Sequence, residues 1–286
     1  MKKLLIITTG GTIASGNSAG GALAPEKTGR ELVPELEGIT TDILDLFAID
    51  STDLTPAYLR KIHHAVVDAM EEYDGIVILH GTDTMAYTGA VLAFTVPDDI
   101  PVILTGSMLP YGAENSDAYE NIRLACATAA NESCAGVWLA FGQRIIRGAD
   151  ITKVNSGGVD AFRSFSGFKA AKKYPFPEDG SDCIPSIVKL TPFTRAASIV
   201  PVSENGGIVI ETYGAGGLPA GEITERVRQL AMSYPVIITT SCLGGTDLSK
   251  YEVGRRALDA GAIDGSGMST ECAAVLVWLL SCYRSS

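Results

Sequence analysis

"KKLLIITTGGTIASG" (residues 2–16) is a short apolar run that passes without a polar break into two glycines flanked by threonines. Apolar residues at successive rather than alternate positions suit a strand covered on both faces, as in a parallel sheet between helical layers. Gly-Gly is a common turn, and threonine is at home at strand ends. The stretch therefore reads as a buried strand leaving through a turn that has almost no side chains and many hydroxyls.

The same alternation continues outward. Further strand-like runs are "ILDLFAI" (43–49), "GIVIL" (75–79), "PVILTG" (101–106) and "GVWLAF" (136–141), and helical segments are expected over Pro56–Tyr73, 84–95 and 117–131. Strands separated by helices predict an α/β fold with a doubly wound, largely parallel sheet. Between Ser164 and Pro185 the periodicity is lost in a stretch rich in Pro, Gly, Ser and Lys, which reads as a linker. Beyond it "SIVKL", "GIVIETYG" and "PVIITTS" supply three more strands, with "EITERVRQLAMS" and "STECAAVLVWLLSC" as helices. The expected organisation is an N-terminal domain over 1–170, a linker over 171–185 and a second, smaller α/β domain over 186–286.

Composition narrows the classes. The 286 residues are 46% hydrophobic and 19% charged, an ordinary globular balance. A formal charge of −11 with no basic run argues against a nucleic-acid partner. The start has two lysines and an apolar stretch, but only Leu4–Ile7 are strongly apolar before Thr8, short of the ~7–15 residues of a secretory core. No segment reaches the ~18 apolar residues of a membrane span, so the expected location is the cytoplasm, with no membrane partner. The six cysteines (126, 134, 183, 242, 272, 282) form no CxxC pair; neither zinc nor a disulfide framework is indicated, and all six read as small apolar core residues.

In open parallel sheets, ligands sit outside the carboxyl ends of the strands. Those ends carry Thr8, Thr9, Gly10, Gly11 and Thr12; Asp50, Ser51 and Thr52; His80, Gly81, Thr82, Asp83 and Thr84; and Thr105, Gly106 and Ser107. Four consecutive ends rich in hydroxyls and carboxylates point to a site for a polar small molecule. His63 and His64 lie inside an amphipathic helix and read as structural or solvated; His80 ends a strand and reads as a structural hydrogen-bonding residue, with contact to the site as the alternative. No metal-ligand cluster is visible, and G-x-G-x-x-G is absent, which argues against a nicotinamide cofactor. What remains is a threonine hydroxyl as nucleophile, which needs a base or an oriented network because it is weak at its free pKa. No cofactor and no metal is expected.

The segments "TTGGTIAS" (8–15), "IDSTDLTP" (49–56), "YDGIVILHGTDTMAYTGAVLAF" (73–94), "PVILTGSMLPYGAENSDAYENIRLA" (101–125), "RGADITKVNSGGVDAF" (147–162), "GIVIETYGAGGLP" (207–219) and "DLSKYEVGRRALDAGAIDGSGMSTECA" (247–273) span most of the chain. In that order they resemble the bacterial-type L-asparaginase/glutaminase family, in particular its cytosolic type I branch. The resemblance implies hydrolysis of L-asparagine to L-aspartate and ammonia through an acyl-threonine intermediate, with glutamine as a possible second substrate, in a homodimer or homotetramer. It implies Thr12 as nucleophile, Thr82, Asp83 and Lys153 as the catalytic network, and Gly11, Ser51, Thr82 and Asp83 against the substrate. Asp50, which precedes Ser51 and holds its loop, and Thr52 belong to the same substrate-binding set in this reading, and Glu271 neighbours the substrate ammonium, in the family often across a subunit interface.

Three departures accompany the resemblance. Residues 15–30 contain no tyrosine where many family members carry one, Leu23 standing near that position; Asp150 replaces a common arginine three residues before Lys153; and the chain stops after "LLSCYRSS". These motivate an alternative, a binding or regulatory protein that keeps the amino-acid pocket without turnover. A third reading, the amidase component of a tRNA-dependent amidotransferase, is disfavoured because the first strand begins at residue 2.

Overall fold

A computed structural model describes residues 1–17, 23–25, 29–178 and 183–285. The chain divides into two compact units, one of residues 1–164 and 170–173, the other of 165–169 and 174–286.

The first unit is built on β1 (Lys2–Gly10), followed by a two-stranded ribbon of β2 (Ser15–Asn17) and β3 (Leu23–Pro25), one helical turn α1 (Gly29–Leu32) and the long strand β4 (Ile39–Ile49). Helix α2 (Pro56–Ala69) leads to β5 (Gly75–Leu79), α3 (Met85–Thr95) to β6 (Pro101–Thr105), and α4 (Ala118–Ala129) to β7 (Gly136–Phe141) and β8 (Arg144–Arg147). A second ribbon pairs β9 (Ile151–Lys153) with β10 (Phe162–Ser164). The six-stranded sheet has the order β4-β1-β5-β6-β7-β8, parallel throughout except for β8, which runs antiparallel to β7.

Burial follows position in this order. β5 and β6 are buried at every residue, and β1 from Leu4 to Gly10, because helices cover both faces of the sheet centre. β4 lies at the edge and alternates between half-buried and exposed residues along its first half. Leu4, Ile6, Val77, Leu79 and Ile103 from the sheet pack with Ile122 and Ala125 of α4 in one core. Proline at the first position of α2 starts that helix without losing a bond, since the first N–H groups of a helix have no internal acceptor. The helix ends at Ala69 rather than Tyr73, where the Glu72 and Tyr73 N–H groups both fold back onto the Ala69 carbonyl.

The second unit carries the four-stranded parallel sheet β11 (Ser186–Lys189), β12 (Ile208–Thr212), β13 (Val236–Thr240) and β14 (Ile263–Asp264), in that order. Helices α5 (Glu222–Ala231), α6 (Glu252–Asp259) and α7 (Thr270–Ser285) accompany it. Its core joins Ile208, Ile210 and Ile238 to Val227, Leu230 and Ala257. Among the described residues no helix is long and apolar enough to cross a membrane.

Several expectations need correction. Strand β4 begins at Ile39 rather than 43, and β8, β9 and β10 are elements the sequence pattern did not announce. Of the cysteines read as core residues, Cys126, Cys183 and Cys272 are buried, Cys134 and Cys282 are half-buried, and Cys242 is exposed. Cys242 lies in the turn after β13, where a side chain faces solvent rather than the sheet core.

The strand order also locates a crevice. The chain goes from β1 out to β4 on one side, then returns to place β5 on the other, so the direction of winding reverses between β1 and β5. Ligands of doubly wound sheets bind at such a reversal, outside the carboxyl ends. The residues there are Gly10–Thr12 and His80–Asp83.

Candidate active site

The glycines after β1 are required by the backbone. Gly10 and Gly11 have φ of +95° and +80°, a region that costs other residues ~1–2 kcal/mol. Space is as limiting as angle. A Cβ on Gly10 would lie 2.5 Å from the Ile49 nitrogen, and one on Gly11 would lie 2.5 Å from the Gly81 Cα. The Gly11 N–H also donates to the Ile49 carbonyl at 3.0 Å. Gly81 in turn stands so close to Ser51 that its own Cβ would meet the Ser51 Oγ at 2.6 Å. Three strand ends thus converge through bare backbone, and Thr12 and Thr82 are the next residues along two of them. Gly11→Ala is accordingly expected to lose at least ~1–2 kcal/mol of stability, with activity falling further because the two turns must separate; an unchanged urea midpoint would contradict the close approach.

A cation ties the β5 end from a distant part of the sequence. The Lys153 ammonium, on β9, donates to the Thr82 Oγ1 at 2.8 Å and to the Asp83 Oδ1 at 2.6 Å. Thr82 is 7% exposed, and the Lys153 side chain is 17% exposed. Because the ammonium only donates, the Thr82 oxygen accepts here and its own proton is left to point elsewhere. Next to it the Ser51 Oγ accepts from the Asp83 N–H at 3.3 Å, while the Thr84 hydroxyl donates to the Ser51 carbonyl at 2.9 Å. Ser51 is 5% exposed. Its loop is a single 3₁₀ turn (Ser51–Asp53) capped by Asp50, whose carboxylate accepts the Thr52 N–H and hydroxyl, each at 2.8 Å. Those two bonds hold the Asp50 carboxyl below its ordinary pKa. Both Asp50 and Thr52 are exposed.

His80 is a buried strut. Its Nδ1 lies 2.7 Å from the Gly81 carbonyl, which can only accept, so Nδ1 carries the proton and Nε2 accepts from the Thr88 hydroxyl at 2.9 Å. The ring thereby joins the turn before Thr82 to the body of α3. Burial disfavours the imidazolium and pushes its pKa down to about 4 from 6.5. The neutral ring contributes its full stabilisation above pH 6.5, and that contribution is lost as pH falls from 6.5 toward 4, by up to roughly 3 kcal/mol. The wild-type protein should therefore lose more unfolding free energy across that window than His80→Gln, as read from urea titrations at its two ends. Equal slopes would refute the assignment.

Other strand-end hydroxyls are spent within the fold. Thr8 donates to Asp45 at 2.7 Å, Thr9 to the Leu79 carbonyl at 3.0 Å, and Thr105 to the Ala140 carbonyl at 2.7 Å. Of the candidates named from sequence, Gly11, Ser51, Thr82, Asp83 and Lys153 are joined by the contacts above. Thr12 opens a 3₁₀ turn (Thr12–Ala14) whose next residue, Ile13, is fully buried. Glu271 belongs to the second unit and lies half-buried in the first turn of α7. Residues 18–22 and 26–28 of the loop without tyrosine lie outside the described residues; Leu23 is on β3, opposite Asn17. Asp150 does not take Lys153 in place of Asp83: its carboxylate accepts from the Ser164 hydroxyl. Gly81 and Thr84 stood among the strand-end residues read from sequence but were given no role, and Ser164, read only as the start of a linker stretch, was missed.

Fold and site together define a two-unit α/β protein with a lysine-tethered threonine at the switch point of its larger sheet. The family model described as Asparaginase, N-terminal, matches residues 3–173, and that described as Glutaminase/Asparaginase C-terminal domain matches residues 187–285. The chain belongs to the asparaginase family. It is 39% identical to the L-asparaginase of Thermococcus kodakarensis over 97% of this chain and 92% of that protein. The solved structure of the thermostable L-asparaginase from the same organism superposes with a TM-score of 0.84 at 38% identity, covering 98% of this chain and 93% of the other. The crystal structure of L-asparaginase I from Vibrio cholerae superposes with a TM-score of 0.79 at 27% identity, covering 98% of this chain and 93% of the other.

Proposed function

We propose that this protein hydrolyses the side-chain amide of L-asparagine, with Thr12 as nucleophile. The observation that carries the reading is the Lys153 ammonium bound to both Thr82 and Asp83, beside the turn that ends in Thr12. Thr12 Oγ1 attacks the amide carbon, the carbonyl pair moves onto oxygen, and collapse of the tetrahedral intermediate breaks the C–N bond. The proton given up by the Thr12 hydroxyl passes to the leaving nitrogen, which departs as ammonia and leaves an ester on Thr12. Water then adds to the ester carbon and releases aspartate with the threonine restored.

The Thr82–Asp83–Lys153 network supplies an oriented hydroxyl chain for these proton movements, since a fixed ammonium polarises the hydroxyl that accepts from it. Asp83 and Ser51 bind the α-amino and α-carboxylate groups, and Glu271 is assigned to a substrate ammonium by the family resemblance, in the family often that of a neighbouring subunit. The Gly11 N–H is committed to Ile49, which leaves the N–H groups of Thr12 and Thr82 as oxyanion donors, each worth about 3–4 kcal/mol in studied enzymes. Glutamine is a secondary substrate, because one methylene in a pocket discriminates by only ~1–3 kcal/mol. The cytoplasm as location and a homodimer or homotetramer as assembly belong to the same reading.

Release of ammonia from asparagine and glutamine, with trapping of the ester by hydroxylamine as a hydroxamate, tests the proposal. Turnover with hydroxamate formation is expected. Binding of aspartate without product over hours would instead favour a pocket that has lost catalysis.

A further inference from the structure

Lys153 reaches the site from a very short element. β9 and β10 form a ribbon of three residue pairs, Ile151 with Ser164, Thr152 with Arg163 and Lys153 with Phe162. Side chains alternate along a strand, so Ile151, Lys153 and their partners share one face. Ile151 is buried on that face against α3, where a Cβ on Gly89 would meet its Cδ1 at 2.7 Å. Phe162, opposite Lys153, is buried edge-on to Phe141 with ring centres 4.9 Å apart. The 3₁₀ turn just before β9 (Gly148–Asp150) is set equally close to α3: a Cβ on Gly148 would lie 2.8 Å from the Gly89 carbonyl. The face that packs on α3 is thus the one that carries the ammonium to Thr82 and Asp83.

A slip of one residue would exchange the faces of the ribbon; burial of Ile151 and Phe162 opposes it, and three backbone pairs add little to that packing. A side-chain hydrogen bond joins the two strands at the open end. Asp150, at the last position before β9, is 2% exposed, and its carboxylate accepts from the hydroxyl of Ser164, the final residue of β10. At the other end the Val154 N–H donates to the Ala161 carbonyl at 2.8 Å. A carboxylate taken out of water is costly unless partnered, so this bond favours the one alignment in which Ser164 stands beside Asp150.

We propose that Asp150 is a positioning residue that, through Ser164, locks the register of the β9–β10 ribbon and so aims Lys153 at Thr82 and Asp83. The inference rests on the catalytic role given to Lys153 above. It assigns to Asp150 no contact with substrate; its effect passes entirely through the ammonium.

Ser164→Ala removes one exposed-end hydroxyl and leaves the backbone pairing available, so it folds even where Asp150→Ala does not. Ser164→Ala should lower kcat for asparagine by about ten- to a hundredfold, the scale of a misaligned catalytic group, with KM within about twofold because the binding groups are untouched. Asp150→Asn, which keeps an acceptor for the Ser164 hydroxyl, should retain most of the wild-type kcat. The double variant Asp150→Ala/Ser164→Ala should be no slower than the worse single variant. Wild-type kcat in folded Ser164→Ala, or a rise in KM with kcat preserved, would overturn the latch. Lys153→Ala assayed alongside separates the two claims: if it is inactive while Ser164→Ala is unaffected, only the latch fails, and if it is active, the underlying role of Lys153 fails and the latch with it.

Discussion

Thr12→Ala should reduce turnover of asparagine by about 10⁴–10⁶, the range seen when the nucleophile of a hydrolase is deleted, while the protein melts close to the wild type. Both halves of that expectation come from the local fold. The hydroxyl is at the start of a 3₁₀ turn fixed on one side by the Gly10–Gly11 backbone and on the other by the fully buried Ile13, so removing one oxygen and one methyl leaves the turn its anchors. Substrate contacts assigned to Ser51 and Asp83 also remain, and aspartate should bind the variant with little change by calorimetry. Thr12→Ser keeps a hydroxyl and should retain measurable activity, lowered because the missing methyl no longer restricts χ1. Ammonia release from Thr12→Ala within tenfold of the wild type would remove Thr12 from the chemistry.

The centre of the larger sheet was legible because burial on both faces writes itself as continuous apolar sequence: β1, β5, β6 and β7 lie within or beside the runs at 2–8, 75–79, 101–106 and 136–141. The ribbon that carries Lys153 was not. Strands of three residues such as "ITK" and "FRS" are too short to show a period of two, and their pairing is decided by contacts with α3 that no local pattern encodes. Hydroxyls at strand ends drew attention to the crevice side of the sheet, and several of them bond within the fold. Thr8, Thr9 and Thr105 are turned toward Asp45 and neighbouring carbonyls, and composition does not distinguish a hydroxyl that serves a ligand from one that serves the backbone. Asp50 shows the same limit: adjacent to Ser51 in sequence, it caps the Ser51 turn by accepting from Thr52.

Lys153→Ala should cut kcat by about 10²–10⁴, the range for loss of a positioned proton-transfer group, and should do so without raising KM. The second part discriminates. The ammonium now donates to the Asp83 carboxylate at 2.6 Å, so it competes for the oxygen that the α-amino group of the substrate is proposed to use. Removing the lysine frees that oxygen while leaving Ser51 and the glycine turns as they are, and KM is expected to stay level or fall. Asp83→Ala should behave in the opposite sense, raising KM as well as lowering kcat. Lys153→Arg is no conservative test, because a planar fork cannot place one donor on Thr82 and another on Asp83 with the geometry of a single tetrahedral nitrogen. Small amines offer a better one. Since 17% of the lysine side chain is exposed, methylammonium should enter the space left in Lys153→Ala and recover part of kcat, scored by aspartate formed so that attack of the amine on the acyl-enzyme, which gives an amide, is not counted. A Lys153→Ala enzyme with raised KM and wild-type kcat would place the lysine in substrate binding and leave Thr82 without its polarising partner in the reaction.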